Sequence, residues 1–179
     1  MEIKETNLKG CFTLQPWVFK DERGYFFESF NQKAFTELTG SHTVFVQDNQ
    51  SLSAYGTVRG LHFQSGEHAQ AKLVRVIEGR VFDIAVDMRK DSTTYGQWFG
   101  TELSGENNLQ LFIPKGFAHG FSVLSDTALF TYKCDSFYHK AAEGGIRYDD
   151  PTLAIDWQIP RDRMILSEKD LLLPYLDRK

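Results

Sequence analysis

Short apolar stretches recur along most of this chain, each closed by turn-forming residues. They read YFFESF (25–30), HTVFVQDN (42–49), VRGLHFQ (58–64), AKLVRVI (71–77), RVFDIAVDMR (80–89), WFGTEL (98–103), LQLFIP (109–114), GFSVLS (120–125) and ALFTYKC (128–134). β-branched and aromatic residues dominate them, and their short length argues for strands rather than helices. The segments SGEH, EGR, KDSTTYG, SGENN, PKGFAHG and SDT separate them as turns. Many short strands at this spacing predict a sandwich or a barrel. Helical spacing occurs in NQKAFTELTG, with Asn31 as cap and Gly40 as terminator, and again in SEKDLLL. Pro151 and Pro160 punctuate an irregular tail, and its DWQIPRD stretch is expected to be peripheral.

The period of two along a strand places several polar side chains on apolar faces. Glu28 falls with Phe26 and Phe30, Lys72 with Val74 and Val76, and Tyr132 with Phe130 and Cys134. His62 lies between Leu61 and Phe63, three positions after Arg59. Any one of these fits an edge strand or a side chain reaching out to solvent. A buried charge is costly unless paired or liganded, so the group together predicts a polar pocket inside the β-structure. Arg75 faces away from Lys72 and is expected to be structural or at an interface.

Composition narrows the partners. The 179 residues suit one domain, 1–179, and a 41% hydrophobic content supports a real core. The net charge of −4 lacks the basic footprint of a nucleic-acid binder. A few arginines can still make a local pocket for an anionic small molecule. Cys11 and Cys134 have no metal or redox spacing, which fits two reduced thiols in a cytoplasmic protein. The polar start MEIKETNLKG has no signal-peptide core, and no apolar run approaches the roughly 20 residues of a membrane helix. The expectation is a soluble, cytoplasmic protein with no membrane partner.

FIPKGFAHGF carries the pattern P-x-G-x-x-H at Pro114, Gly116 and His119. This resembles the second motif of the cupins, which are jelly-roll or double-stranded β-helix proteins. The first cupin motif supplies H-x-H and a Glu for a metal. Here the matching place reads His62-Phe63-Gln64, followed by Glu67 and a displaced His68. A ligand set so depleted predicts no metal. His62 is left as a base or as a hydrogen-bonded core residue. A histidine can take a proton from a carbon beside a carbonyl, a lysine can hold the enolate oxygen, and a tyrosine can return a proton to the other face. That inventory fits epimerisation next to a ketone. A cupin that only binds its ligand could use the same groups as donors.

The run DERGYFFESF, FVQDN, RGLHFQ, AKLVRVIEGRVFDIAVDMRKDS, IPKGFAHGF, YKC and LSEKD resembles the dTDP-4-dehydrorhamnose 3,5-epimerase family from about Phe19 to Leu176. The resemblance implies a cupin-type, mainly β fold with a few short helices at the periphery. It implies a cofactor-free isomerase of dTDP-rhamnose biosynthesis, feeding O-antigen or cell-wall polysaccharide, and a homodimer joined by strand exchange or extension near the N-terminus. The dimer is expected to bury apolar residues of YFFESF. By the same resemblance His62 is the base, supported by Asp170, with Tyr132 the proton donor and Lys72 the enolate-stabilising cation. His119 lies at the sugar, and Tyr138 stacks on the thymine. Arg23, Glu28, Gln47, Asn49, Arg59, Glu143 and Lys169 match substrate-binding positions. Planar guanidinium forks suit a diphosphate, and a flat aromatic face suits a pyrimidine.

Alternatives remain at the level of residues. Asp170 also fits a capping box with Ser167. Asp83 and Asp87 are further candidates to orient a histidine or pair with Lys72. Tyr138 also reads as surface packing, and Lys169 as a solvated charge. The rival functions are an epimerase acting at C3 only or C5 only, a sugar-nucleotide ketoisomerase of the same fold, and a non-catalytic cupin binding a nucleotide sugar.

Overall fold

A strand must find hydrogen-bonding neighbours, and thirteen segments do so in the computed structural model, which describes residues 1–176. In chain order they are β1 (Glu2–Glu5), β2 (Phe12–Gln15), β3 (Phe19–Asp21), β4 (Gly24–Phe26), β5 (Gln47–Ala54), β6 (Val58–Gln64), β7 (Lys72–Glu78), β8 (Arg80–Asp87), β9 (Trp98–Ser104), β10 (Gln110–Ile113), β11 (Phe117–Val123), β12 (Thr127–Cys134) and β13 (Glu143–Gly145). One sheet runs β1-β2-β10-β7-β12-β5, and a second runs β13-β6-β11-β8-β9. The pairings between these strands are antiparallel, as in a jelly roll of cupin type. The helices α1 (Gln32–Thr39) and α2 (Glu168–Leu171) lie outside the sheets.

The inner faces of the two sheets make one core. Val74, Val76 and Phe130 of the first sheet pack with Val81, Ala85 and Phe121 of the second. β8 is buried on both sides, because Ile84 and Val86 join a second core with Val58, Leu61, Ile146, Leu153 and Trp157. Burial on two faces explains the nearly continuous apolar run of RVFDIAVD.

α1 keeps the expected caps. Asn31 accepts a hydrogen bond from the Ala34 N–H at 3.0 Å, and Gly40 closes the helix at φ +67°. Its one buried residue, Phe35, packs among Phe30, Phe45 and Phe112.

Several expectations change. Only Tyr25 and Phe26 of YFFESF are strand, at the end of Gly24–Phe26, which pairs with Phe19–Asp21 in a separate hairpin. Tyr25 and Phe26 are exposed, and Glu28 lies outside any strand, so Glu28 shares no inner face with Phe26 and Phe30. HTVFV is not strand either. β5 starts at Gln47 because its neighbour β12 ends opposite, at Cys134. β1, β2 and β13 carry too weak a pattern to stand out. The tail is not peripheral: Trp157 is 2% exposed, its carbonyl accepts from Ser122 Oγ at 2.6 Å, and its indole donates to the Tyr148 carbonyl at 2.8 Å. That tail covers the outer face of the second sheet.

One glycine sets the approach of two strands. A Cβ on Gly60, at φ +130°, would meet Gly120 Cα at 2.6 Å. The close contact of β6 with β11 brings His62 opposite His119 in register.

Candidate active site

Between the sheets lies a cavity of about 610 Å³ whose walls include His62, Lys72, His119, Tyr132, Asn49, Arg59, Lys169 and Asp170. It adjoins a second of about 380 Å³ that shares His62, Lys72 and Tyr132 and adds Gln47, Tyr138 and Glu143. The alternation rule built this arrangement. Lys72 sits beside Val74 on the inner face of β7, and Tyr132 beside Phe130 on β12.

His62 Nε2 lies 2.7 Å from Asp170 Oδ1. Asp170 is 3% exposed, in the first turn of α2, where its backbone N–H donates to Ser167 Oγ at 3.1 Å. The cap and the histidine contact therefore coexist, with Ser167 bonding the backbone and the carboxylate free for His62. Burial pushes the Asp170 carboxyl up, but the His62 hydrogen bond and charge, with Ser167 and the Gly60 backbone, outweigh it and hold the group low. A neutral His62 that donates from Nε2 keeps its lone pair on Nδ1, the basic nitrogen.

Asp83 serves the other histidine. Its carboxylate lies 3.0 Å from His119 Nε2 and is fully buried on β8. Burial pushes the Asp83 carboxyl up and His119 down, each against their mutual attraction. Asp87 pairs with neither histidine. It accepts from Arg89, Ser92 and Thr94, and these bonds overcome burial to bring it down to about 2.

Lys72 Nζ stands 5.7 Å from the centre of the Tyr132 ring. Burial depresses the lysine and raises the phenol, since each would be charged away from water. His62 belongs to the second sheet, whereas Lys72 and Tyr132 belong to the first. The histidine and the tyrosine thus stand on opposite walls of one cavity. His119 stacks on Phe130 at 6.0 Å, and Phe130 on Phe121 at 4.3 Å, so one end of the cavity is apolar.

The rim is a chain of polar contacts. Gln47 Nε2 donates to Asn49 Oδ1 at 3.0 Å, and Gln47 Oε1 accepts from the Tyr138 N–H at 3.2 Å. Tyr138 Oη donates to Glu143 at 3.0 Å, and Lys169 Nζ donates to the other oxygen of Glu143. Lys169 holds the Glu143 carboxyl low, and that carboxylate in turn raises the Tyr138 phenol. Arg59 Nε donates to Ser53 Oγ at 3.1 Å. Gln64, which stands where a metal-binding cupin has a histidine, accepts from the His139 N–H at 2.8 Å. Among the described residues, no three His, Cys, Asp or Glu side chains gather as a metal site.

Two expected residues stay away. Arg23 pairs with Asp21 on the hairpin, its side chain 85% exposed, and Glu28 is exposed beside it. Neither lines the cavity. Ser51, Phe121 and Phe130 were missed and do line it. Ser51 was within reach of the pattern, because Gln47, Asn49 and Ser51 alternate along β5.

A jelly roll whose cavity is lined by a His–Asp pair from one side and by a lysine and a tyrosine from neighbouring strands of the other sheet is built for proton transfer at carbon, which is isomerase chemistry. The dTDP-4-dehydrorhamnose 3,5-epimerase family profile matches residues 5–178, and the chain belongs to that family. It is 51% identical to the dTDP-4-dehydrorhamnose 3,5-epimerase of Salmonella typhimurium, over 99% of this chain and 97% of that one. The crystal structure of dTDP-4-dehydrorhamnose 3,5-epimerase from Elizabethkingia anophelis superposes with a TM-score of 0.95 at 58% identity, covering 98% of this chain and 96% of that one. The dTDP-6-deoxy-D-glucose-3,5-epimerase of Legionella pneumophila, solved in complex with dTDP-4-keto-L-rhamnose, gives 0.94 at 50% identity, over 97% and 92%. No helix among the described residues is long and apolar enough to cross a membrane.

Proposed function

We propose that this chain inverts C3 and C5 of dTDP-4-dehydro-6-deoxy-D-glucose to give dTDP-4-dehydro-L-rhamnose. The observation that carries the reading is one cavity lined by His62 from the second sheet and by Lys72 and Tyr132 from neighbouring strands of the first. Both carbons flank the C4 ketone, so each C–H is acidified without a cofactor.

In each half of the reaction His62 Nδ1 takes the proton, and the C–H electron pair moves into an enolate. Lys72 stabilises the enolate oxygen through its charge in a dry site. Tyr132 then gives its phenolic proton to the opposite face of the same carbon. Proton return from His62 to Tyr132 through solvent resets the site. Asp170 holds the ring orientation of His62 and stabilises its protonated form, while the Asp83–His119 pair faces the sugar beside it. Arg59 and Lys169 suit the diphosphate, Gln47 and Asn49 line the passage toward it, and Tyr138 suits the thymine.

Arg23 and Glu28 lead to the assembly. Arg23 rides on, and Glu28 closely follows, a hairpin whose Phe19, Tyr25 and Phe26 are 63%, 60% and 70% exposed. So much apolar surface on a projecting arm suits burial against a second copy, and a homodimer would carry the two residues to the partner's cavity.

Incubation with the ketosugar in deuterated water tests the reading. Label at both C3 and C5 is expected. Label at one carbon alone indicates a single epimerase, and a carbonyl moved to C3 indicates a ketoisomerase. Binding with no exchange indicates a cupin that only holds its ligand.

A further inference from the structure

Two histidines outside the cavity take no part in this chemistry. His68 ends the 3-10 turn Gly66–His68 after β6, and His139 lies in the segment that joins β12 to β13. Their imidazoles stack face to face, with centroids 4.0 Å apart and planes within 3°. Neither side chain lines the cavities around His62.

The stack is the middle of a seam between two rim segments. At one end Ala71 N–H donates to Asp135 Oδ1 at 2.7 Å, and Gln70 Nε2 donates to the Ser136 carbonyl at 2.7 Å. At the other end Ser65 N–H donates to the Ala142 carbonyl at 2.9 Å. Tyr138 immediately precedes His139. The Tyr138 and His139 N–H groups are held by Gln47 and Gln64, so backbone bonds fix the path of the loop on the inner side. On the outer side the two imidazole rings hold it. Tyr138 itself is 53% exposed, and its side chain is tied through the hydroxyl to Glu143. A half-exposed ring binds a flat ligand well only when its loop is already ordered, because ordering on binding subtracts from affinity.

We infer that His68 and His139 are positioning residues, whose stack holds Tyr138 ready for the nucleobase of the substrate. The inference rests on the reading of Tyr138 as the nucleobase platform. The base lies far along the substrate from C3 and C5. Loosening its platform weakens ground state and transition state alike, so KM rises while kcat stays. The contact needs a flat ring and not a titrating one, so phenylalanine substitutes for histidine and alanine does not.

The test uses the full chain as parent, His139→Ala and His139→Phe, with dTDP binding by calorimetry and turnover of the ketosugar. His139→Ala is expected to weaken dTDP binding about three- to tenfold and to raise KM by the same factor, with kcat within about twofold of the parent. His139→Phe is expected to restore both. A parent that binds dTDP while His139→Ala binds it equally tightly overturns the inference alone. Failure of His139→Phe to restore binding overturns it too. A parent that does not bind dTDP overturns the reading of the cavity and this inference with it.

Discussion

Asp170 holds Nε2 of His62 at 2.7 Å across 108 residues of chain, from a helix whose first turn is capped by Ser167. The contact sets which nitrogen of His62 is basic. Asp170→Asn keeps the shape and removes the charge. The variant is expected to lose about 100-fold or more in kcat, with KM little changed and the melting curve near that of the parent. Steady-state kinetics check this, and unchanged kcat would leave the Asp170 carboxylate a structural partner of His62 and nothing more.

Tyr132 stands on the wall opposite His62. Tyr132→Phe removes the proposed proton donor and leaves the proposed base, His62. Wash-out of substrate C–H label into solvent should persist, whereas product formation should fall by about two to three orders of magnitude. Full turnover in this variant assigns the donor elsewhere.

Asp87 illustrates a stability consequence. Its ordinary carboxyl value is 3.8 and its folded value is about 2, with Arg89, Ser92 and Thr94 as the stabilising partners. A depressed acid contributes stability above the unfolded value and loses it as pH falls through the folded value. Asp87→Asn is expected to be less stable at pH 7 by on the order of 2 kcal/mol. That gap should shrink from about pH 4 downward and close below about pH 2 in paired denaturation curves. A constant gap would tie the loss to packing and not to charge.

Trp157 fills the second core beneath β6, β8 and β11. Trp157→Ala is expected to cost about 3–5 kcal/mol in urea denaturation. A loss under about 1 kcal/mol would mean that the tail contributes little to that core.

Phe26 is 70% exposed on the β3–β4 hairpin. For the proposed homodimer, Phe26→Glu is expected to shift dimer toward monomer in sedimentation and to lower activity with it, since Arg23 lies on the same hairpin and Glu28 closely follows it. A variant that remains fully dimeric places the interface elsewhere.

Local pattern settled more of the inner strands than of the ends. VRGLHFQ forms β6 with the expected bounds, and the inner faces of AKLVRVI and ALFTYKC hold Lys72 and Tyr132 among valines and phenylalanine as the alternation requires. α1 kept its caps because Asn31 and Gly40 satisfy backbone groups within the helix itself. YFFESF and HTVFV have strand composition yet mostly lack a strand partner, and pairing is a property of the neighbour and not of the segment.

Residue types and their period of two were thus enough to indicate a β-sandwich or barrel with a polar pocket, and the ordered motifs were enough to indicate the family. Which carboxylate met which histidine was decided only in three dimensions. Asp83, Asp87 and Asp170 are alike as side chains, and their separation in sequence carries no information about contact. The antiparallel pairing of β8 with β11 places Asp83 against His119, a local loop captures Asp87, and the return of the tail to β6 delivers Asp170 to His62. The same return buries Trp157, whose polar surroundings in DWQIPRD resemble those of a surface tail until a sheet face with no other cover stands beside it.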